Sequence, residues 1–237
     1  MTRLSVNINK IATLRNSRGG NIPNVLQSAV DCEAFGAQGI TVHPRPDERH
    51  IKYQDVYDIS KHIHVELNIE GYPSRRFLEM IKEVKPAQVT LVPDTHDVIT
   101  SDSGWDTKSN QAFLHDIITD LNQEGIRVSV FVETSHEQIE YAAKAGAQRV
   151  ELYTGPYVFN YRKDREAAIQ PYIEAAKVAS RVNLGLNSGH DLNLDNLRYY
   201  HENIPQLLEV SIGHALISDA LYYGLENVIQ MYLRLIK

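Results

Sequence analysis

Sulfur is scarce in this sequence. Its single cysteine, Cys32, excludes an internal disulfide framework and any zinc site built on cysteines. A basic surplus is also missing. Lys and Arg number 24 against 30 Asp and Glu, a net charge of -6, which argues against a general nucleic-acid binder. Small anions stay open, because a phosphate site needs only local donors. No apolar run approaches the length of a membrane span, and the opening MTRLSVNINK has no signal-peptide core. The expectation is a cytoplasmic protein with neither a membrane nor a nucleic acid as partner. Linkers and low-complexity blocks are absent too. With 43% hydrophobic residues in 237, one sizeable core is within reach, so residues 1–237 read as a single domain.

What is present is a strict alternation. Short β-branched runs predict strands at 4–8, 39–43, 64–69, 88–92, 126–132, 148–153, 182–187 and 208–212. Helical periodicity predicts helices at 24–37, 54–63, 74–84, 109–125, 135–146, 164–180, 195–203 and near 219–237. Pro171 lies inside the sixth of these, where a break or kink is expected. Strands that alternate with helices form a parallel sheet, and eight such units in this length are what a closed (β/α)8 TIM barrel needs. The rival, an open dinucleotide-binding sheet, would carry G-x-G-x-x-G after its first strand; here NKIATLRN follows.

Active sites of such barrels lie at the C-terminal ends of the strands. Those ends bring Asn7, Asn9 and Lys10 from strand one, and His43, Arg45 and His50 from strand two. Asn68 and Glu70 close strand three, Glu133 strand five, and Glu151 lies in strand six. Strand seven ends in Asn187 before Ser188-Gly189-His190, and strand eight in Gly213-His214. Three of the ten histidines thus meet carboxylates on one rim, a set suited to proton transfer. They follow no H-x-H or H-E-x-x-H spacing, so no metal is expected. The Gly-His pairs fall where barrels often bind phosphate. Arg15, Arg18, Arg45 and Arg49 supply candidates for an anion clamp. The long polar stretch 94–106, with the only tryptophan, Trp105, has the length of a lid that excludes water.

Taken in order, NIxxIATLRNxRG (7–19), GITVHPRPDERHI (39–51), NIEG (68–71), LVPD (91–94), ELYTGPY (151–157), LNSGHDL (186–192) and SIGHALI (211–217) span nearly the whole chain. Together they resemble the pyridoxine 5′-phosphate synthase family of the deoxyxylulose-phosphate-dependent route to vitamin B6. The resemblance implies a TIM barrel with extra helices, assembled as a homo-octamer built from dimers. Tyr-rich segments near 153–161 and 222–223 are expected to expose aromatic surface for that assembly. It also implies a transferase that condenses 3-amino-2-oxopropyl phosphate with 1-deoxy-D-xylulose 5-phosphate, releasing phosphate and water, without a cofactor. His43 and Glu70 match the family's proton acceptors and His190 its proton donor. Asn7, Arg18, Gly213 and His214 match residues around the aminoketone or a substrate phosphate, as does the position of Asp191. Arg45, His50 and Thr100 match contacts to the deoxyxylulose phosphate. Two departures stand out: Asn9-Lys10 where the family usually has Asp-His, and Asp191 where it usually has Gly. Both are kept as substrate-binding positions. The rival readings are another sugar-phosphate aldolase or isomerase, and a non-catalytic sensor of phosphorylated ligands. Lys10 is the one lysine placed to form a Schiff base, and it follows a strand rather than sitting within one.

Overall fold

The computed structural model describes residues 1–93 and 103–237. The strands are β1 (Arg3–Asn7), β2 (Gly39–Val42), β3 (Glu66–Gly71), β4 (Gln88–Leu91), β5 (Arg127–Val132), β6 (Arg149–Leu152), β7 (Gly185–Ser188) and β8 (Leu207–Ile212). Every neighbouring pair is parallel, and β8 pairs with β1, with Leu4 opposite Val210, so the sheet closes. The helices are α1 (Asn9–Asn16), α2 (Val25–Ala34), α3 (Tyr53–Ser60), α4 (Arg75–Val84), α5 (Gln111–Gln123) and α6 (His136–Lys144). They continue with α7 (Gly155–Tyr161), α8 (Arg165–Arg181), α9 (Leu197–Asn203), α10 (His214–Tyr223) and α11 (Leu225–Leu235). The expected TIM barrel with extra helices is what the chain forms.

Alternation along the strands sorts side chains into two environments. Leu4 and Val6, Leu67 and Ile69, and Val128, Val130 and Val132 are buried with the apolar faces of the helices. This sheet–helix layer is the hydrophobic core. The other set points into the barrel and is polar. Ser5 and Thr41 share a hydrogen bond of 2.7 Å, Asn68 donates to Thr41, and Thr90 donates to Asn68. Gln88 on β4 reaches Glu209 on the opposite strand, β8, at 3.5 Å. Only an interior position allows that contact. At the N-terminal mouth, Arg3 and Arg127 both grip Glu66. The aliphatic layers that usually fill such barrels are replaced here by a hydrogen-bonded network.

The structure corrects several sequence expectations. Pro171 does not break its helix; α8 runs through it for 17 residues. Proline inside a helix costs about 3 kcal/mol. Ile169, Tyr172 and Val178 are buried along the same helix, and each contributes about 1.5–3 kcal/mol, so packing outweighs the lost hydrogen bond. The predicted last helix is two, α10 and α11, separated by Gly224 at φ +80°, a conformation that glycine adopts without steric cost. Helices α1 and α7 were not anticipated. Of the expected aromatic surface, Tyr157 is internal: it is buried with Tyr172 and Tyr200, the three meeting edge-to-face with centroids 5.0–5.7 Å apart. Phe159, Leu221, Tyr222 and Tyr223 do remain exposed. Trp105 is buried, stacked on Tyr72 at 5.9 Å, and its backbone N–H donates to Phe131. The end of the long polar stretch is therefore pinned to the barrel, while 94–102 and its lid expectation lie outside the described residues. Cys32 is buried and its thiol is pushed up to about 12 by burial, which makes it inert.

Candidate active site

A cavity of about 570 Å³ opens at the C-terminal ends of the strands. The structure brings eleven of the sequence-derived candidates to it: Asn7, Asn9, Lys10, His43, Arg45, His50, Glu70, His190, Asp191, Gly213 and His214. Thr100 lies outside the described residues. Arg18 is exposed in the turn after α1 and is not part of the lining. Arg15 is no anion clamp. It is buried, and its guanidinium grips the Asp55 carboxylate at 2.5 and 2.9 Å.

One wall joins β1, β2 and β3. The Asn9 side-chain oxygen accepts from the His43 backbone N–H at 2.9 Å, and the Asn7 oxygen accepts from the Asn9 N–H. Asn9 thus ties the start of α1 to the end of β2. His43 Nδ1 lies 4.0 Å from Glu70 Oε2, to which Asn7 donates at 3.5 Å. Burial, then the positive charges of Arg45, hold the His43 imidazole well below its usual range. It is neutral at pH 7 and free of a proton on one nitrogen, as a general base must be. His50, 6.0 Å from the His43 ring, is lowered to about 4, again by burial first and Arg45 second. Its Nδ1 accepts from the Ile51 N–H, which leaves the proton on Nε2.

The facing wall joins β6, β7 and β8. The Tyr153 ring lies 6.3 Å from His190, edge to face. The Asp191 carboxylate is turned to His190, with Oδ2 3.0 Å from Nδ1. Gly189 explains why this wall is so close to β8: a Cβ there would stand 1.9 Å from the Ser211 carbonyl oxygen. Gly213 permits a similar approach to Asn7 and leads into α10, whose first residue is His214. The unpaired N–H groups of that helix terminus attract anions.

Sequence reasoning names Glu151 without giving it a role and passes over Tyr153, Ser211 and Thr13 as site residues; all four line the cavity. Glu151 is buried on β6, and burial, with the nearby negative charges of Glu70 and Glu209, pushes its carboxyl well above the usual range. Its neutral form is thereby favoured. The signal for it was the two-residue period that places Glu151 and Tyr153 on one side of β6. Lys10 and Arg45 border the cavity, with Arg49 paired to Asp47 at 2.7 Å, and supply the positive charge that an anionic ligand needs. Among the described residues, no group of three or more His, Cys, Asp or Glu is placed to hold a metal ion.

The arrangement therefore offers a neutral base, carboxyls of two kinds, a second imidazole across the cavity, and anion sites on both sides. A family model described as "Pyridoxal phosphate biosynthesis protein PdxJ" matches residues 4–237. The chain belongs to the PdxJ family. Its curated relatives include a pyridoxine 5′-phosphate synthase of Bacteroides fragilis (strain YCH46), 64% identical with 98% of each chain covered. Another, of Cytophaga hutchinsonii, is 62% identical over the full length of both chains. Among solved structures, phosphoribosylanthranilate isomerase of Thermotoga maritima superposes with a TM-score of 0.63, covering 100% of this chain and 98% of that one. At 16% identity that likeness concerns the barrel alone. Within the PdxJ family the chain is an enzyme. No helix among the described residues is long and apolar enough to cross a membrane.

Proposed function

We propose that the cavity carries out pyridoxine 5′-phosphate synthesis, joining 3-amino-2-oxopropyl phosphate to 1-deoxy-D-xylulose 5-phosphate. The observation that carries this reading is the convergence of His43, Glu70 and His190 on one cavity bordered by anion-binding groups. The aminoketone brings its own amine to the sugar ketone, so no catalytic lysine is needed. Forming the imine, releasing phosphate, handling water and closing the ring all require protons to move at carbon, nitrogen and oxygen. Neutral His43 and Glu70 suit proton removal, and His190 on the facing wall suits proton delivery. Two phosphates held on opposite sides turn a bimolecular encounter into a positioned one. Gly213, His214 and Asn7 border one anion site; Arg45, His50 and Lys10 border the other. The purified protein, incubated with both substrates, should form pyridoxine 5′-phosphate, followed by its ultraviolet absorbance. No product from both substrates together would reject the reading.

Lys10 lies exposed in the first turn of α1 at the cavity edge. There its ammonium holds the deoxyxylulose phosphate by charge, not through an imine. Lys10→Met should raise KM for that substrate by about tenfold, the scale of one lost charged hydrogen bond, and leave KM for the aminoketone nearly unchanged. A borohydride-reduced adduct on Lys10 would favour aldolase-like chemistry instead.

The assembly follows the same reading. Arg18 is exposed and lies outside the cavity lining of its own chain, in a segment that also exposes Leu14 and Ile22. It serves a substrate phosphate from a neighbouring copy in the dimer that builds the octamer. Light scattering at micromolar concentration should return eight times the 26.9 kDa chain mass, and Arg18→Ala should raise KM for the aminoketone. A monomer would contradict both.

A further inference from the structure

Thr154 is the N-cap of α7, yet its side chain makes no hydrogen bond to that helix. A threonine at this position ordinarily caps its own first turn. Here the hydroxyl is turned the other way, across to the loop after β7. It donates to the Gly189 carbonyl at 3.3 Å and accepts from the Asp191 N–H at 3.2 Å. Those two groups flank one residue, His190. Thr154 is wholly buried, so water does not compete for either bond.

The bracketed segment is held from other directions as well. Gly189 abuts the Ser211 backbone, and its carbonyl also accepts from Leu192 N–H at 2.6 Å, closing a tight turn. Ser188, the preceding residue, shares a hydrogen bond of 2.8 Å with the buried Tyr200 hydroxyl. The Asp191 N–H, by contrast, has the Thr154 hydroxyl as its partner, and the Asp191 carboxylate faces His190 Nδ1. Asp191 Oδ2 and His190 Nδ1 stand 3.0 Å apart without hydrogen-bond geometry, so the contact is electrostatic, and fixing the backbone of 191 fixes where that carboxylate is anchored.

We infer that Thr154 is a positioning residue for the reaction, acting through the backbone on either side of His190 and through Asp191 to set where the imidazole stands over the cavity. This rests on the reading of His190 as the proton donor. A proton donor displaced by about 1 Å can lose on the order of a hundredfold in rate.

The experiment compares Thr154→Val, Thr154→Ser and Asp191→Asn with His190→Gln in steady-state assays of the full-length enzyme. Valine keeps the shape and sacrifices no helix cap. Thr154→Val should lower kcat about ten- to a hundredfold, with KM for both substrates within about threefold. Thr154→Ser, which retains the hydroxyl, should restore kcat to within about threefold of the parent. Asp191→Asn keeps the N–H but removes the charge at Nδ1. It should lower kcat and move the alkaline limb of the kcat profile to lower pH; the other titratable groups around the ring, His43, Glu151 and Tyr153, are unchanged. Equal losses in the valine and serine variants, or a loss confined to KM, would overturn the bracket. Should Thr154→Val fail to fold, an unshifted pH limb in Asp191→Asn would overturn it alone. Near-normal turnover of His190→Gln would instead remove the proton-donor reading, which separates the two failures.

Discussion

Glu70→Gln is expected to lower product formation by about two orders of magnitude or more while both substrates still bind. The side chain lies at the end of β3, with Oε2 4.0 Å from His43 Nδ1 and within reach of the Asn7 amide. Glutamine reproduces the shape and can accept the Asn7 hydrogen bond, but it cannot take a proton. A hundredfold loss corresponds to about 2.7 kcal/mol of transition-state stabilisation, the scale of a missing general base. The loss should fall on kcat, with KM values within about threefold. The substitution also removes one of the negative charges that push the Glu151 carboxyl up, so that carboxyl should titrate at lower pH in the variant. Turnover close to that of the parent would strip Glu70 of its role.

Arg15→Met is expected to cost stability more than any surface change. Arg15 is 4% exposed and lies on the inner face of α1. Its guanidinium makes a bidentate pair with Asp55 and donates to the His50 carbonyl at 3.1 Å. Asp55 in turn accepts from the Lys52 N–H, at the start of α3. One cation thus ties α1, the loop after β2 and α3 together. Removing it leaves a carboxylate largely shut off from water, which costs about 3–5 kcal/mol out of a total that is usually 5–15 kcal/mol. Urea denaturation should show the midpoint fall with the slope unchanged. The double variant Arg15→Met with Asp55→Leu should recover much of the loss, because no charge is then stranded. A single-variant loss below about 1 kcal/mol would class the pair with ordinary exposed salt bridges.

Much of the fold was legible because the barrel is written in local terms. Each strand announces itself as a β-branched run, and boundaries moved by one to three residues. The largest shift, at β7, has a cause: α8 extends to Arg181, and Asn183 takes φ +58° before the strand can begin. Helix α1 escaped notice because it spans only eight residues with two β-branched ones among them. Helix α7, GPYVFNY, is aromatic and β-branched and has little helical propensity of its own. The cavity lining was legible wherever it sits at or just past a strand end, as for His43, Glu70, His190 and His214. Glu151 was less so, since it lies inside its strand and its upward-shifted carboxyl is owed to burial that no motif encodes. Arg15 was misread because its partner is 40 residues away. The hydrogen bonds of Thr154 to residues 35 and 37 positions ahead were invisible for the same reason.

The polar lining of the barrel has a thermodynamic consequence. Unfolding exposes Ser5, Thr41, Asn68, Gln88, Thr90, Asn187 and their neighbours along with the aliphatic sheet–helix layer. Apolar surface entering water raises the heat capacity, by about 0.45 cal/K/mol per Å², while polar surface lowers it by about 0.26. Each inward position that holds a hydroxyl or an amide instead of a branched aliphatic group therefore subtracts from the heat-capacity change of unfolding. A barrel lined this way has a flatter stability curve than one of equal length with an aliphatic interior, and it surrenders less of its stability on cooling.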